Sequence, residues 1–242
     1  MTGAVSAMNG SLRKVLVVVF VLAAGAIGFG AYRWLAPPKS SPVALTAPPP
    51  APLSDLSTDK PDAVERSRGL PEKRPVFALK DRDGKLRSIT EWDGKSLVIN
   101  FWATWCAPCR REIPMLRTLH AARARDNIEV IGVAVDFRER VLEYAREIGL
   151  DYPLLIGEQD GLDALDQFGV GVGGFPMTVF TDNQGRIVTA HLGELHAAEA
   201  DAILDAVVAI NAGKLSLDAA RQRISAELER IDAATAKSKV GE

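Results

Sequence analysis

Cys106 and Cys109 are the only cysteines in a chain of 242 residues, and they stand two residues apart in Trp105-Cys106-Ala107-Pro108-Cys109. The motif falls where an apolar run, Ser96 to Trp102, gives way to a pattern that reads as helix from Cys109 to Arg125. A thiol at a helix N-terminus faces unpaired backbone N–H groups and the positive end of the helix dipole, so its thiolate is favoured and its pKa falls. Thiolate is the attacking species in disulfide exchange. One turn later on the same helix face, Cys109 is placed to attack a mixed disulfide formed at Cys106. Pro108 suits the first turn, where a missing N–H costs no intrahelical bond.

Other chemistries of a Cys pair fit less well. Half of a zinc site would need further ligands, and His191 and His196 lie 82 or more residues beyond Cys109 rather than about 12–15. A purely structural disulfide across a two-residue gap would restrain little unfolded-chain entropy. Two soft ligands for Cu(I), as in a metal chaperone or adaptor, would be expected beside a Met cluster, and none is present near the cysteines. No metal or organic cofactor is therefore expected. With 29 Lys+Arg against 31 Asp+Glu, a net charge of −2 leaves no basic field for nucleic acid. The hydrophobic share of 47% belongs to an ordinary globular protein.

The elements that must position the pair follow from apolar periodicity. Val76–Leu79 and Leu86–Ile89 around Asp83-Gly84 read as a β-hairpin. Ser96–Trp102 and Ile128–Val135 read as strands covered on both faces, with a helix between them. Arg138–Ile148 reads as helix, Pro153–Ile156 as extended, Leu162–Phe168 as helix. Met177–Phe180 and Ile187–Leu192 flank a turn at Asp182–Gly185, and Ala197–Asn211 closes the domain as a helix. Strand and helix in alternation, with a late hairpin, imply an α/β fold. Pro114 is expected to kink the helix that carries Cys109.

Phe-Trp-Ala-Thr-Trp-Cys-Ala-Pro-Cys-Arg-Arg-Glu-Ile-Pro-Met-Leu (Phe101–Leu116), followed by Gly-Gly-Phe-Pro-Met-Thr-Val-Phe (Gly173–Phe180), resembles the membrane-anchored, thioredoxin-like TlpA/ResA-type thiol:disulfide oxidoreductases. The likeness runs from about Pro75 to Asn211. It implies a thioredoxin fold, a central mixed sheet flanked by helices, with an extra N-terminal β-hairpin and one transmembrane helix ahead of it. It also implies Cys106 as the attacking cysteine, Cys109 as the resolving one, and a cis Pro176 preceded by Phe175 at the substrate-binding edge. Family members serve as reductants for apocytochromes c or copper-site proteins, so exported protein thiols are the implied substrates, with a membrane thiol donor to restore the dithiol. An oxidant or isomerase of the same fold is the alternative; the intervening Ala107-Pro108 lacks a His that would stabilise the thiolate of a strong oxidant.

Glu112, three residues beyond Cys109, matches a carboxylate that some members use near the active site. Cytosolic thioredoxins keep a buried Asp six residues before the first cysteine, a position held here by Asn100. An amide cannot take a proton from the resolving thiol, so Glu112 or water is required as acceptor. Trp105 is read as part of the substrate-facing rim and Trp102 as packing.

Outside this domain the chain changes character. Val15–Tyr32 is 18 consecutive uncharged, mostly apolar residues, roughly 27 Å as a helix, so residues 15–36 are expected to anchor the chain in the cytoplasmic membrane, the alternative being a cleaved signal peptide, whose apolar core is shorter, about 7–15 residues. Arg13-Lys14 ahead of the run favours a cytoplasmic N-terminus for residues 1–14 and a periplasmic or exterior domain. Seven of the 14 prolines fall between Pro37 and Pro52, and residues 37–73 read as an extended linker. The domain is expected over 74–213. In 214–242, Ile224, Leu228 and Ile231 recur at helical spacing, which suggests a narrow amphipathic helix, docked or frayed.

Overall fold

The computed structural model describes residues 69–169 and 174–240. The expected cytoplasmic segment 1–14, anchor 15–36 and most of the linker lie outside the described residues, as does Gly173. Among the described residues no helix is long and apolar enough to cross a membrane.

Seven strands form one sheet: β1 (Ala78–Asp81), β2 (Leu86–Ser88), β3 (Ser96–Trp102), β4 (Ile128–Val135), β5 (Leu154–Gly157), β6 (Met177–Thr181) and β7 (Ile187–Leu192). Their spatial order is β2-β1-β5-β4-β3-β6-β7. β3, β4 and β5 run parallel in the centre, while β6, β7, β1 and β2 join in antiparallel pairs. β1 and β2 are joined by a tight turn at Gly84, whose φ of +80° suits glycine. Among the described residues five α-helices accompany the sheet: α1 (Ala107–Arg123), α2 (Arg138–Glu147), α3 (Gln159–Asp166), α4 (Ala197–Asn211) and α5 (Leu217–Val240).

Every residue of β3 and β4 is buried, and the period-two pleat divides their side chains between two apolar layers. Val98 and Trp102 of β3, with Val130 and Ala134 of β4, meet helices α1, α2, α4 and α5 on one face. Leu97, Ile99 and Phe101, with Ile131 and Val133, meet α3 and the segment around Phe77 and Ile89 on the other. Asn100 shares the pleat parity of Val98 and Trp102, so its amide enters the layer beneath α1.

α2 and α4 begin at the expected Arg138 and Ala197, whereas α1 and α3 start earlier than apolar spacing suggests. α1 begins at Ala107, because the Cys106 side chain caps it, and continues through Pro114 to Arg123. α3 begins at Gln159 rather than Leu162, since its first turn is polar and adds nothing to the apolar period. The domain likewise begins before Arg74: the Glu72 carbonyl accepts from the Ile187 N–H at 3.0 Å, and the Arg74 N–H donates to the Gly185 carbonyl at 2.9 Å. Residues of the expected linker thus complete the turn between β6 and β7.

At the other end, α5 packs on α4 and on β7, burying Ala220, Ile224 and Leu228. Burying each of the two larger side chains stabilises the docked helix by roughly 1.5–3 kcal/mol. Arg221 of α5 donates to the carbonyls of Ile187 at 2.7 Å and Val188 at 3.3 Å. These belong to an edge strand, whose unpaired backbone is otherwise open to another chain.

Candidate active site

The parallel strands β3 and β4 end side by side, and the chain leaves β3 through Ala103-Thr104-Trp105 into the CxxC. That turn is fastened by a carboxylate: Asp136, just past β4, accepts from the Thr104 N–H at 3.0 Å and from the Thr104 hydroxyl, and its other oxygen accepts from the Phe137 N–H at 2.7 Å. Asp136 and Thr104 were not singled out from sequence. The available signal is an acidic residue directly after a buried parallel strand, at the carboxyl edge where α/β sites form.

Cys106 is the N-cap of α1, and the Cys109 N–H donates to its Sγ at 3.3 Å. This is the backbone donor that a helix N-terminus supplies to a thiolate. The two cysteines are joined as a disulfide, with Cα atoms 5.3 Å apart. Cys106 keeps 4% of its surface exposed and Cys109 none, so an attacking partner reaches Cys106 first.

β6 is antiparallel to β3, with Phe101 opposite Met177. Register therefore sets Pro176 beside the carboxyl end of β3. The Phe175–Pro176 peptide is cis. The Phe175 ring meets the Trp105 indole edge-on, with centroids 5.9 Å apart. Trp105 is 67% exposed, a large apolar surface next to Cys106, whereas Trp102 is wholly buried. Arg110, next to Cys109 in sequence, lies over the Tyr144 ring at 4.8 Å.

Glu112 is 1% exposed beneath α1. Its Oε1 accepts from Asn100 Nδ2 at 2.7 Å and its Oε2 from the Leu195 N–H at 2.8 Å. Asn100 Nδ2 also donates to the Thr178 hydroxyl at 2.9 Å, the residue paired with it across β3 and β6. Burial pushes the Glu112 pKa up to about 7; the two donors oppose this, and the nearby Glu194 charge adds to it. Burial likewise raises the Tyr152 phenol, with the charge of Glu112 contributing in the same direction. Tyr152 and the Trp102 indole fit together because Gly132 separates them: a Cβ there would lie 2.9 Å from Tyr152 and 3.2 Å from Trp102 Nε1.

Cys106, Cys109, Trp105, Phe175 and Pro176 thus gather at the carboxyl end of β3, with Glu112 one turn beyond Cys109. Thr178 and the Leu195 N–H also belong to this centre. Neither was legible from spacing, since both reach Glu112 or its partner through sheet register and a loop.

The AhpC/TSA family model matches residues 71–190. The chain is 33% identical over 138 residues to the thioredoxin-like protein YneN of Bacillus subtilis, a match covering 55% of this chain and 78% of that protein. This chain belongs to the ResA/TlpA-type thioredoxin-like family. It is 34% identical over 114 residues to the thiol-disulfide oxidoreductase ResA of Geobacillus thermodenitrificans, covering 47% of this chain and 63% of that relative's length. Among solved structures, a thiol:disulfide interchange protein of the thioredoxin family from Chlorobium tepidum superposes with a TM-score of 0.52 at 28% identity, covering 57% of this chain and 97% of the other. The matched stretch of 138 residues is short of the whole chain, and α5 lies beyond the family model.

Proposed function

We propose that this protein is a thiol:disulfide oxidoreductase that reduces disulfides of exported proteins. The observation that carries the reading is the Cys106 Sγ at the α1 N-terminus, accepting the Cys109 N–H, with the resolving cysteine buried one turn behind it. In the reduced enzyme the Cys106 thiolate attacks one sulfur of a substrate disulfide; a mixed disulfide forms and the other substrate sulfur leaves as a thiolate. Cys109 then loses its proton and attacks the Cys106 sulfur, which breaks the mixed disulfide and releases the second substrate thiolate. Two electrons pass to the substrate, whose sulfurs end as thiols, and the Cys106–Cys109 disulfide remains. Glu112, on the helix three residues past Cys109 and with a pKa near 7, is suited to take the resolving proton and return it.

Trp105, Phe175 and the edge at Pro176 form the substrate-facing rim. The absence of a His between the cysteines supports a reductant over an oxidant. Family likeness supports cysteine pairs of apocytochromes c or copper-site proteins as the substrate class, and a membrane thiol donor as the source of electrons. In this reading Val15–Tyr32 anchors the chain in the cytoplasmic membrane and the domain faces away from the cytoplasm.

Two measurements test the proposal. Alkylation of the reduced protein followed by peptide mass mapping should modify Cys106 before Cys109; faster modification of Cys109 would reverse the roles. An alkaline phosphatase fusion at Pro71 should be active in cells, and a fluorescent reporter that matures only in the cytoplasm should be dark there. The opposite pattern would place the redox domain in the cytosol.

A further inference from the structure

Glu112 depends on a donor that no helix or strand supplies. Leu195 lies in the loop 193–196 between β7 and α4, so its N–H stays on the carboxylate only while that loop keeps its shape. Four contacts hold it. His191, buried on β7, donates from Nε2 to the Glu194 carbonyl at 3.2 Å, and Glu199, buried in the first turn of α4, accepts from the His196 N–H at 2.9 Å. His191 Nε2 and Glu199 Oε2 stand 4.0 Å apart. On the surface the Glu194 carboxylate meets Arg111 at 2.5 Å, and the Gly193 N–H donates to the Pro176 carbonyl at 2.9 Å.

Sheet register ties the same loop to the strands beneath Glu112. Asn100 pairs with Thr178, and Thr178 pairs with His191, so three polar residues form a row across β3, β6 and β7. They share one face, the one that carries Glu112 above it. Buried polar side chains are costly unless hydrogen-bonded, and this row reaches Glu112 through Asn100 and the loop that supplies its second donor through His191.

We infer that His191 and Glu199 are positioning residues for Glu112: they brace loop 193–196 so that one segment holds the Leu195 N–H on the carboxylate and the Gly193 N–H on the Pro176 carbonyl. The inference rests on the proton-acceptor role proposed for Glu112. Through this loop the proton acceptor and the substrate edge are parts of one rigid unit.

The groups facing Glu112 are Asn100 from β3, Tyr152 ahead of β5, and Glu194 and Leu195 from the loop, with Arg111 paired to Glu194 and Thr178 to Asn100. Loosening the loop removes the Leu195 donor, which favours the charged form, so the carboxyl must titrate at higher pH.

The test uses the full-length protein with carbon-13-labelled glutamate, the Glu112 signal being assigned by its loss in Glu112→Gln. His191→Phe and Glu199→Ala should move the Glu112 midpoint upward from about 7 by roughly one pH unit, as loss of one donor to a carboxylate does. Amide exchange at Leu195 should quicken at least tenfold. Glu199→Gln, which still accepts from His196, should remain near the wild type. An unmoved midpoint with unchanged Leu195 exchange, in a variant that keeps the wild-type amide spectrum elsewhere, would overturn the inference. Should both buried variants fail to fold, Arg111→Ala removes a surface contact of the same loop. Leu195 exchange should then rise several-fold, and no rise would equally overturn it. These readouts do not require thiol exchange, so loss of the bracing and failure of the oxidoreductase reading give different results.

Discussion

Replacing Cys109 with alanine will turn the reduced protein from one that releases its substrate into one that holds it. Cys106 keeps its place at the N-cap of α1, and the residue 109 N–H that points at its sulfur belongs to the backbone, so alanine leaves that donor in place. Attack on a substrate disulfide therefore proceeds. Resolution does not, because the second sulfur is gone and Cys109 and Cys106 are the only cysteines of the chain. Reduction of a model protein disulfide should fall on the order of 10³-fold or more, as expected when one member of a unit that acts together is lost. A covalent adduct on Cys106 should accumulate, visible on a non-reducing gel and dissolved by dithiothreitol. Cys106→Ser should lose turnover and adduct together. Turnover that survives in Cys109→Ala, or an adduct that forms on Cys109 in Cys106→Ser, would reverse the assignment.

Glu112→Gln will change how stability depends on pH. Burial raises the Glu112 pKa from 4.5 to about 7 in the folded protein. A carboxyl whose folded pKa is raised contributes its stability fully below the unfolded value, and loses it as pH rises through the folded value. Between about pH 4.5 and pH 8 the wild type should therefore lose about 3 kcal/mol relative to the variant. Glutamine suits the site: its oxygen can accept from the Leu195 N–H, and its amide can donate to the Asn100 Oδ1, which has no hydrogen-bond partner among the described residues, once the Asn100 amide turns over. Denaturant unfolding of the oxidised proteins at pH 5 and pH 8 measures the difference. The variant should gain on the wild type at the higher pH, and an equal difference at both would show that Glu112 does not titrate in this range. The same variant should slow resolution of the mixed disulfide, since an amide cannot take the Cys109 proton.

These two expectations mark where sequence stops and folding takes over. The CxxC was legible because its chemistry is local: a strand that ends, a cysteine at the cap, a proline in the first turn, all within Trp105–Cys109. β3, β4 and β7 matched their apolar runs residue for residue, because a strand covered on both faces draws most of its side chains from apolar residues. The starts of α1 and α3 and the domain edge were less legible. Polar first turns such as Gln159–Gly161 carry no apolar period, and Glu72 and Arg74 join the sheet through backbone bonds that any side chain permits.

The surroundings of Glu112 belong to the tertiary structure. Spacing puts this residue on the cysteine-bearing helix, yet a carboxylate in the first turns of a helix is usually solvated. What buries it is the packing of α1 over the sheet. What keeps it ionisable near neutral pH is an amide donor from Leu195, 83 residues away in sequence, and the Asn100 side chain, set beneath α1 by the pleat. Sequence determined which atoms can exchange electrons, because sulfur chemistry is written in residue type and local spacing. The tertiary structure decided at what pH Glu112 holds a proton, because a pKa is set by burial and by donors brought together across β3, α1 and the β7–α4 loop.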